Sequence, residues 1–416
     1  MNATKAFDIP KTLVIEAYKA VKANAGAAGI DEESIRDFEK NLKDNLYKIW
    51  NRMSSGSYFP PPVKAVAIPK KNGGTRLLGI PTVADRVAQT VVKVMFEPTV
   101  EPIFLADSYG YRPRKSALDA VGITRKRCWK YDWVLEFDIK GMFDNIDHEL
   151  LMRAVRKHTD CKWIILYIER WLKASMQMPD GTRVERPKGT PQGGVVSPIL
   201  ANLFMHYVFD VWMTRNFPDC PWCRYADDGL VHCRTEQQAR DIREALACRL
   251  AECKLELHPD KTRIVYCKDA NRKGEFPDTE LDFLGYTFRP RVVKNSKMNT
   301  LFVSFTAAAS KKALKAMRQK TRKWNLRNRS DLELEDISRM FNPILRGWIG
   351  YYGEYHPSGL ISVLKHFNST LRAWAMQKYK RLNRRKIKAT LFVVKTAKER
   401  PGLFIHWQKG IVAMTT

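Results

Sequence analysis

Residues 222–233 read WCRYADDGLVHC, two short apolar runs folded back around Asp227, Asp228 and Gly229. Asp and Gly favour the left-handed conformations that a tight hairpin tip requires. The stretch is therefore expected to form two antiparallel strands with the acidic pair at the turn. Two adjacent carboxylates at such a tip repel one another unless something positive stands among them. A divalent cation suits, because hard cations take oxygen ligands. A third carboxylate, Asp138, ends the strand-like run VLEFD at 134–138. Alternation puts Val134, Glu136 and Asp138 on one face of that strand and Leu135 and Phe137 on the other, so Asp138 is the exposed end of a buried strand. A lone aspartate is more often a turn or cap residue than a ligand. Three of them on two strands can hold two Mg²⁺ and clamp both the attacking and the leaving oxygen of a phosphoryl transfer.

The 416-residue chain is long enough for two or three domains. Its formal net charge of +28 attracts polyanions regardless of sequence, and nucleic acid is the polyanion that fits. Residues 311–400 alone carry 23 Lys and Arg against 6 Asp and Glu, so more than half of the excess charge sits in one segment. No run of about 18 apolar residues occurs, and no membrane span is expected. The start, MNATKAFDIPKTL, lacks the apolar core of a signal peptide. Eight scattered cysteines suit the reduced thiols of a cytosol, so a cytoplasmic protein is expected. The lone CPWC at Cys220 and Cys223 has no second pair at metal-ligand spacing. It reads as small buried residues beside a strand rather than as a zinc site.

Along the chain, residues 1–57 look mostly helical. Residues 57–82 read as strand, turn and strand, with the turn at Lys70–Gly74 and a helix following from Val83 to Phe96. Asp147 is a candidate N-cap for a helix from His148. The glycine- and proline-rich loop KGTPQGGVVSP at 188–198 ends in Ser197-Pro198, read as a cap and first turn of a helix over 198–213. A helix at 236–253 and strand-like segments at 255–267 and 281–288 complete an α+β pattern with an antiparallel sheet. One more strand-like run follows the polar stretch at 294–300. From about 310 the pattern is helical. Leu360, Leu364, Phe367, Leu371 and Trp374 form an apolar stripe, and Pro343 is expected to split 332–355 into two helices.

These blocks resemble, in order, those of the group II intron-encoded reverse transcriptases and maturases. YADD at 225–228 is similar to the polymerase catalytic box, and FDIKGMFDNIDH at 137–148 to the first metal-binding block. GTPQGGVVSP at 189–198 resembles the template–primer loop. RLLGIPTVADRVAQ at 76–89 and SYGYRP at 108–113 resemble the fingers blocks; LELHPDKT at 255–262 and FLGYTF at 283–288 resemble the later palm blocks. ANAGAAGIDEESIRDFEK, beginning at Ala23, is similar to the amino-terminal extension, and NPILRGWIGYYGEY at 342–355 to the maturase, or X, domain that doubles as the thumb. The resemblance implies a right-hand polymerase. Fingers and an antiparallel-sheet palm would occupy 1–300 (1–57 being the extension), an all-α thumb 301–390, and a short basic tail, a candidate DNA-binding element, 391–416.

The resemblance also implies roles for single residues. Asp138, Asp227 and Asp228 would bind two Mg²⁺, with the carbonyl of Ile139 as a further ligand. Phe143 would sit under the sugar and reject a ribose 2′-OH, although a Phe there is otherwise a plain core residue. Gln192 would touch the incoming nucleotide. Arg76, and more loosely Lys70, would pair with its triphosphate, since guanidinium suits bidentate phosphate contact. Lys261 would protonate the leaving pyrophosphate; a surface lysine is the alternative. Lys311, Lys312, Lys315, Arg318, Lys320, Arg322, Lys323, Lys378, Lys380 and Arg381 would lie along intron RNA. The nearby Trp324, Trp348, Tyr351, Tyr352, Trp374 and Tyr379 are read mostly as thumb core. The expected partners are intron RNA, target DNA with its primer, and dNTPs.

Many relatives carry a carboxy-terminal nuclease with paired Cys and His ligands. No such cluster follows the X block here, so second-strand cleavage is not expected. Two rivals remain: a domesticated or defence-related reverse transcriptase, and an RNA-folding chaperone without polymerase activity.

Overall fold

The computed structural model describes residues 5–69, 74–295 and 298–414. Lys70 and most of the turn that holds it lie outside the described residues. The chain forms two compact units, Met1–Ala120 with Leu135–Arg263, and Val121–Val134 with Ile264–Thr416.

The first unit opens with helices Lys11–Asn24, Ile35–Lys40 and Leu42–Ser54. An antiparallel hairpin follows, Val63–Pro69 with Thr75–Ile80, in register from Lys64 opposite Ile80 to Pro69 opposite Thr75. Met176–Gln177 adds parallel to its first strand, and Arg183–Val184 completes that sheet. Helix Val83–Val100 is capped by Thr82, whose hydroxyl accepts from Asp85 N at 3.1 Å. It runs four residues beyond the expected end, through Pro98. The hydrogen bond that Pro98 cannot donate falls at the exposed Val94, where water replaces it cheaply. Val87, Ala88, Val91 and Val92 are fully buried, and each larger side chain of this kind contributes about 1.5–3 kcal/mol.

Strand Trp133–Asp138 lies beside Asp228–Cys233, which pairs in turn with Trp222–Tyr225. The acidic hairpin forms, but its tip departs from expectation. Ala226, not the Asp-Gly pair, takes the left-handed conformation, at φ +58°. Gly229 lies inside the strand, where a Cβ would stand 2.1 Å from the Phe137 ring. Glycine is needed there for space rather than for the turn. Helix His148–His158 is capped by Asp147, which accepts from Leu150 N at 2.9 Å. Ser197 is no cap. Val196 precedes the helix Ser197–Met205, and the Ser197 hydroxyl accepts instead from Thr190 Oγ1 at 2.8 Å. The expected 198–213 helix carries a π turn at His206–Asp210 before Val211–Asn216. The 255–267 segment is mostly irregular, with a one-residue bridge between Leu257 and Ile139 and the short strand Arg263–Tyr266.

In the second unit, Tyr286–Lys294 pairs with Leu281–Phe283 and, along its whole length, with Leu301–Ala309. A cut at residue 300 would fall in the connection of this hairpin. Helices Lys311–Lys323, Leu334–Tyr352, Ile361–Lys378 and Lys386–Glu399 follow around one core. Trp324 stacks on Phe341 at 4.2 Å and on Trp348 at 5.7 Å, and buried Trp374 donates from Nε1 to Arg329 O at 3.1 Å. Pro343 does not split its helix. Ser338 Oγ and Asn342 Nδ2 both donate to Leu403 O, at 2.6 and 2.8 Å, and Ile405 N donates to Asn342 Oδ1 at 3.1 Å. Those anchors hold the turn that the proline weakens.

The segment at 403–410 also turns inward. Phe404, His406 and Trp407 are buried. Asn368 holds this end of the chain: it donates to Ile411 O and Ala413 O at 3.1 and 3.0 Å, and accepts from Trp407 Nε1 at 2.9 Å. His406 Nε2 lies 2.7 Å from the same Asn368 oxygen, and desolvation lowers the imidazole to about 3. A histidine depressed in the folded state leaves stability intact above its unfolded value near 6.5 and removes it as pH falls toward the folded value. Between about pH 6.5 and 4 the loss approaches ~1.4 kcal/mol per pH unit. Urea midpoints of this unit's unfolding should fall more steeply with acid in wild type than in His406→Gln; parallel slopes would refute the assignment.

Candidate active site

The site grows from a strand end, a hairpin tip and the short turn Pro259–Lys261. Strand Trp133–Asp138 delivers Asp138 at its last position, where the carbonyl accepts from His258 N at 2.8 Å. Lys140 N donates to Glu256 O at 2.9 Å. These two bonds flank the Ile139–Leu257 pair, which directs the Ile139 carbonyl toward the strand's other edge. The hairpin delivers Asp227 at the turn and Asp228 at the start of its second strand.

Asp227 and Asp138 both act electrostatically on the Asp228 carboxyl, and Asp138 acts on that of Asp227. Asp228 is exposed along its strand, yet protein crowds its carboxyl and strips part of its hydration. That desolvation, then the neighbouring Asp227 and Asp138 carboxylates, push it up to about 7. Asp227 is raised too, first by desolvation and then by Asp138. Lys261, at the end of the turn Pro259–Lys261, opposes this; its Nζ donates to Asp138 Oδ2 at 2.7 Å. Among the described residues no three His, Cys, Asp or Glu side chains stand spaced around a single ion. The donor set nonetheless suits a hard cation: three carboxylates and a peptide carbonyl are oxygen ligands, crowded enough to need more positive charge than one lysine supplies.

Phe143 lies half-buried in the one-turn helix Met142–Asn145, with its carbonyl accepting from Thr190 N at 2.7 Å. Gln192 leans on Asp144, its Nε2 lying 3.3 and 3.4 Å from the two carboxylate oxygens. The Gln192 carbonyl accepts from Gly79 N at 2.8 Å. Gly193, at φ +116°, has no room for a Cβ, which would meet Gly79 O at 2.6 Å. The loop and the Thr75–Ile80 strand are thereby one piece. Arg76 is exposed on that strand, and its charge is felt at Tyr111.

Tyr111 is a residue that sequence reasoning passed over. Its ring meets Phe143 edge-on and Tyr225 at a tilt, both at 6.4 Å. Its phenol is raised by desolvation and then by Asp227. The signal available was its place in SYGYRP, whose Gly110 lies so close that a Cβ would stand 2.5 Å from Ala226 N. Asp85 and Gln89 were missed as well. Asp85 is buried and accepts from Tyr58, Trp171 and Gln89, while Gln89 Oε1 accepts from Val195 N and Val196 N at 2.7 and 3.3 Å, securing the loop's far end.

The basic residues divide. On helix Lys311–Lys323, the Lys311, Lys312, Lys315, Lys320, Arg322 and Lys323 residues are exposed, as are Lys380 and Arg381. Lys312 lies 3.7 Å from Asp282, and Arg318 donates to Ser362 Oγ at 3.0 Å. Lys378 is spent internally: its amine donates to Leu332 O at 2.9 Å and Ser330 O at 3.2 Å, pairs with Glu333, and lies over the Trp374 ring. It is a fastener of the helical core, unlike the other cations with which it was grouped.

Residues 68–288 match the family described as reverse transcriptase (RNA-dependent DNA polymerase), and residues 314–392 the group II intron maturase-specific domain. Protein YkfC of Escherichia coli K12 is 31% identical over 298 residues, covering 61% of this chain and 77% of its own. The group II intron-encoded protein LtrA of Lactococcus lactis is 37% identical over 194 residues, 46% of this chain and 32% of its own. An uncharacterized 91 kDa protein in the cob intron of Schizosaccharomyces pombe is 24% identical over 432 aligned positions, 88% of this chain and 52% of its own. The chain thus spans less than two thirds of the length of the last two. Reverse transcriptase domains generally use divalent metal ions. No helix among the described residues is long and apolar enough to cross a membrane. With both domains present in this order, on an α+β fold ending in a helical part, the chain belongs to the reverse transcriptases (RNA-dependent DNA polymerases) of the group II intron-encoded, maturase-bearing kind.

Proposed function

We propose that this chain extends a DNA primer on intron RNA and assists the splicing of that intron. The observation that carries the polymerase reading is the crowding of the Asp138, Asp227 and Asp228 carboxyl groups, with Lys261 donating to Asp138 beside them. Asp138, Asp227, Asp228 and the Ile139 carbonyl would hold two Mg²⁺. When bound, these ions would lower the pKa of the primer 3′-hydroxyl and neutralise charge on the departing pyrophosphate.

The chain's own residues do the positioning, and little covalent chemistry falls to them. Phe143, wedged against Tyr111, forms the floor on which a deoxyribose rests and a 2′-hydroxyl clashes. Gln192 faces the nucleotide from a loop tied to the Arg76 strand, so base-side and phosphate-side contacts are set together. Arg76 holds the triphosphate; Lys70 remains a second candidate for it. Lys261, which donates to Asp138, would pass a proton to the leaving group. The exposed cations of Lys311–Lys323, with Lys380 and Arg381, would follow the RNA backbone in the maturase role, while the rings between them stay in the core.

Primer extension on poly(rA)/oligo(dT) with Mg²⁺ tests the reading. Wild type should extend and Asp227→Ala should not; a folded wild type that never extends would favour a chaperone without polymerase activity. Phe143→Ala should raise ribonucleotide incorporation at least tenfold relative to deoxynucleotide, and unchanged discrimination would remove Phe143 from the sugar contact. Replacing Lys315, Lys320, Arg322 and Lys323 by Gln should flatten the log–log salt dependence of RNA affinity by about 0.7–0.9 for each phosphate that the helix no longer neutralises. An unaltered slope would place that helix away from the RNA.

A further inference from the structure

Arg224 stands three residues before Asp227, on the strand that leads into Ala226, and it is fully buried with Asp210. All five of its side-chain N–H groups are used. Nε donates to Asp210 Oδ1 at 2.7 Å and Nη2 to Asp210 Oδ2 at 2.7 Å, a bidentate pair. Nη2 also donates to Ser108 Oγ at 2.9 Å, and Nη1 to Asn202 Oδ1 at 3.2 Å and to the Ala226 carbonyl at 3.0 Å. Its backbone is held as firmly: Arg224 N donates to Asp107 O at 3.0 Å, and Tyr109 N donates to Arg224 O at 2.9 Å.

Stability alone does not account for such a group. A buried ion pair loses hydration that its attraction barely returns, and a well-packed apolar pair of similar volume often does as well. What an apolar pair cannot do is hold the carbonyl of Ala226. That residue sits at φ +58°, a conformation an alanine rarely adopts, immediately before Asp227 and Asp228. Two further features serve the same point. Asn202, which accepts from Arg224, donates from Nδ2 to Gly110 O at 2.6 Å and so holds the loop that lies against Ala226 N. Asp210 is aimed by the π turn His206–Asp210, whose Tyr207 and Val208 carbonyls are taken by Arg249 at 3.1 and 3.2 Å. Such turns commonly mark functional positions in helices.

We infer that Arg224, clamped by Asp210, is a positioning residue for nucleotidyl transfer: it fixes the Ala226 carbonyl and thereby the turn that presents Asp227 and Asp228. The inference rests on the reading of those aspartates as metal ligands. Lysine, with three donors on one atom, cannot reproduce five bonds in a planar fork.

The test uses the full chain in steady-state extension of oligo(dT) on poly(rA), with Arg224→Lys, Asp210→Asn, and the double variant Arg224→Met with Asp210→Leu. Wild type and Asp227→Ala serve as controls; a wild type that does not extend overturns the polymerase reading itself. Rates are taken per active molecule by burst titration, so unfolded protein does not count. Arg224→Lys should lower kcat at least tenfold, leave the primer–template Kd within twofold, and raise the Mg²⁺ concentration for half-maximal rate severalfold. The apolar double variant should melt near wild type yet show the same kcat and Mg²⁺ defects. A folded double variant with kcat and Mg²⁺ midpoint within twofold of wild type would overturn the inference. Should that variant not fold, Arg224→Lys and Asp210→Asn decide in its place, and wild-type kcat and Mg²⁺ midpoint in both would overturn it equally.

Discussion

Carboxylates crowded together repel, and that repulsion is the constraint on which the candidate site of the first unit is built. Asp138 and Asp227 both act on Asp228, and desolvation of Asp227 and Asp228 raises the cost of their ionisation. A chain would relax such a cluster if it were free to. Here it is not free: Asp138 ends a strand bonded to His258, and the hairpin is closed by register from Trp222 opposite Val231 to Tyr225 opposite Asp228. The strands hold the acids where electrostatics alone would part them.

The surrounding parts are tied through backbone amides rather than by surface ion pairs. Gly189 N and Thr190 N donate to Ile146 O and Phe143 O, and Gln89 receives two amides from the other end of the same loop. Such bonds carry little rotamer entropy, so they set positions more narrowly than surface ion pairs do. The helical unit follows a different rule. Its rings are packed edge-on and face-on around Trp324 and Phe367, its cations stand mostly outside, and its last residues are bolted to Asn368.

Much of this architecture was legible because it depends on local pattern. VLEFD forms a strand, although Val134 is as buried as Leu135 and Phe137 and only Glu136 and Asp138 are half-exposed; Asp147 caps the next helix, and the stripe from Leu364 to Trp374 forms one continuous helix face. The ends of the strands that carry the candidate aspartates could be read as strand ends. Other features depend on partners far along the chain and have no local signature. Ala226 takes a left-handed turn where Gly110, distant in sequence, approaches its amide and Arg224, fixed by Asp210, takes its carbonyl. Pro343 stays inside a helix because Leu403 and Ile405 bind the turn before it. Lys378 reads as one cation in a basic run, yet three acceptors near 330–333 turn it inward. The π turn at 206–210 needs Arg249, some forty residues on, to take its carbonyls.

The bond from Gly79 to Gln192, with Gly193 seated against the same peptide, has a consequence for how this molecule can change. The rim that would meet a nucleotide's base and the rim that would meet its phosphates cannot drift apart independently. Any substitution that loosens one loosens the other. On the proposed reading, accuracy and speed would be inherited together, and an engineer wishing to alter either would have to treat the two rims as a single moving part.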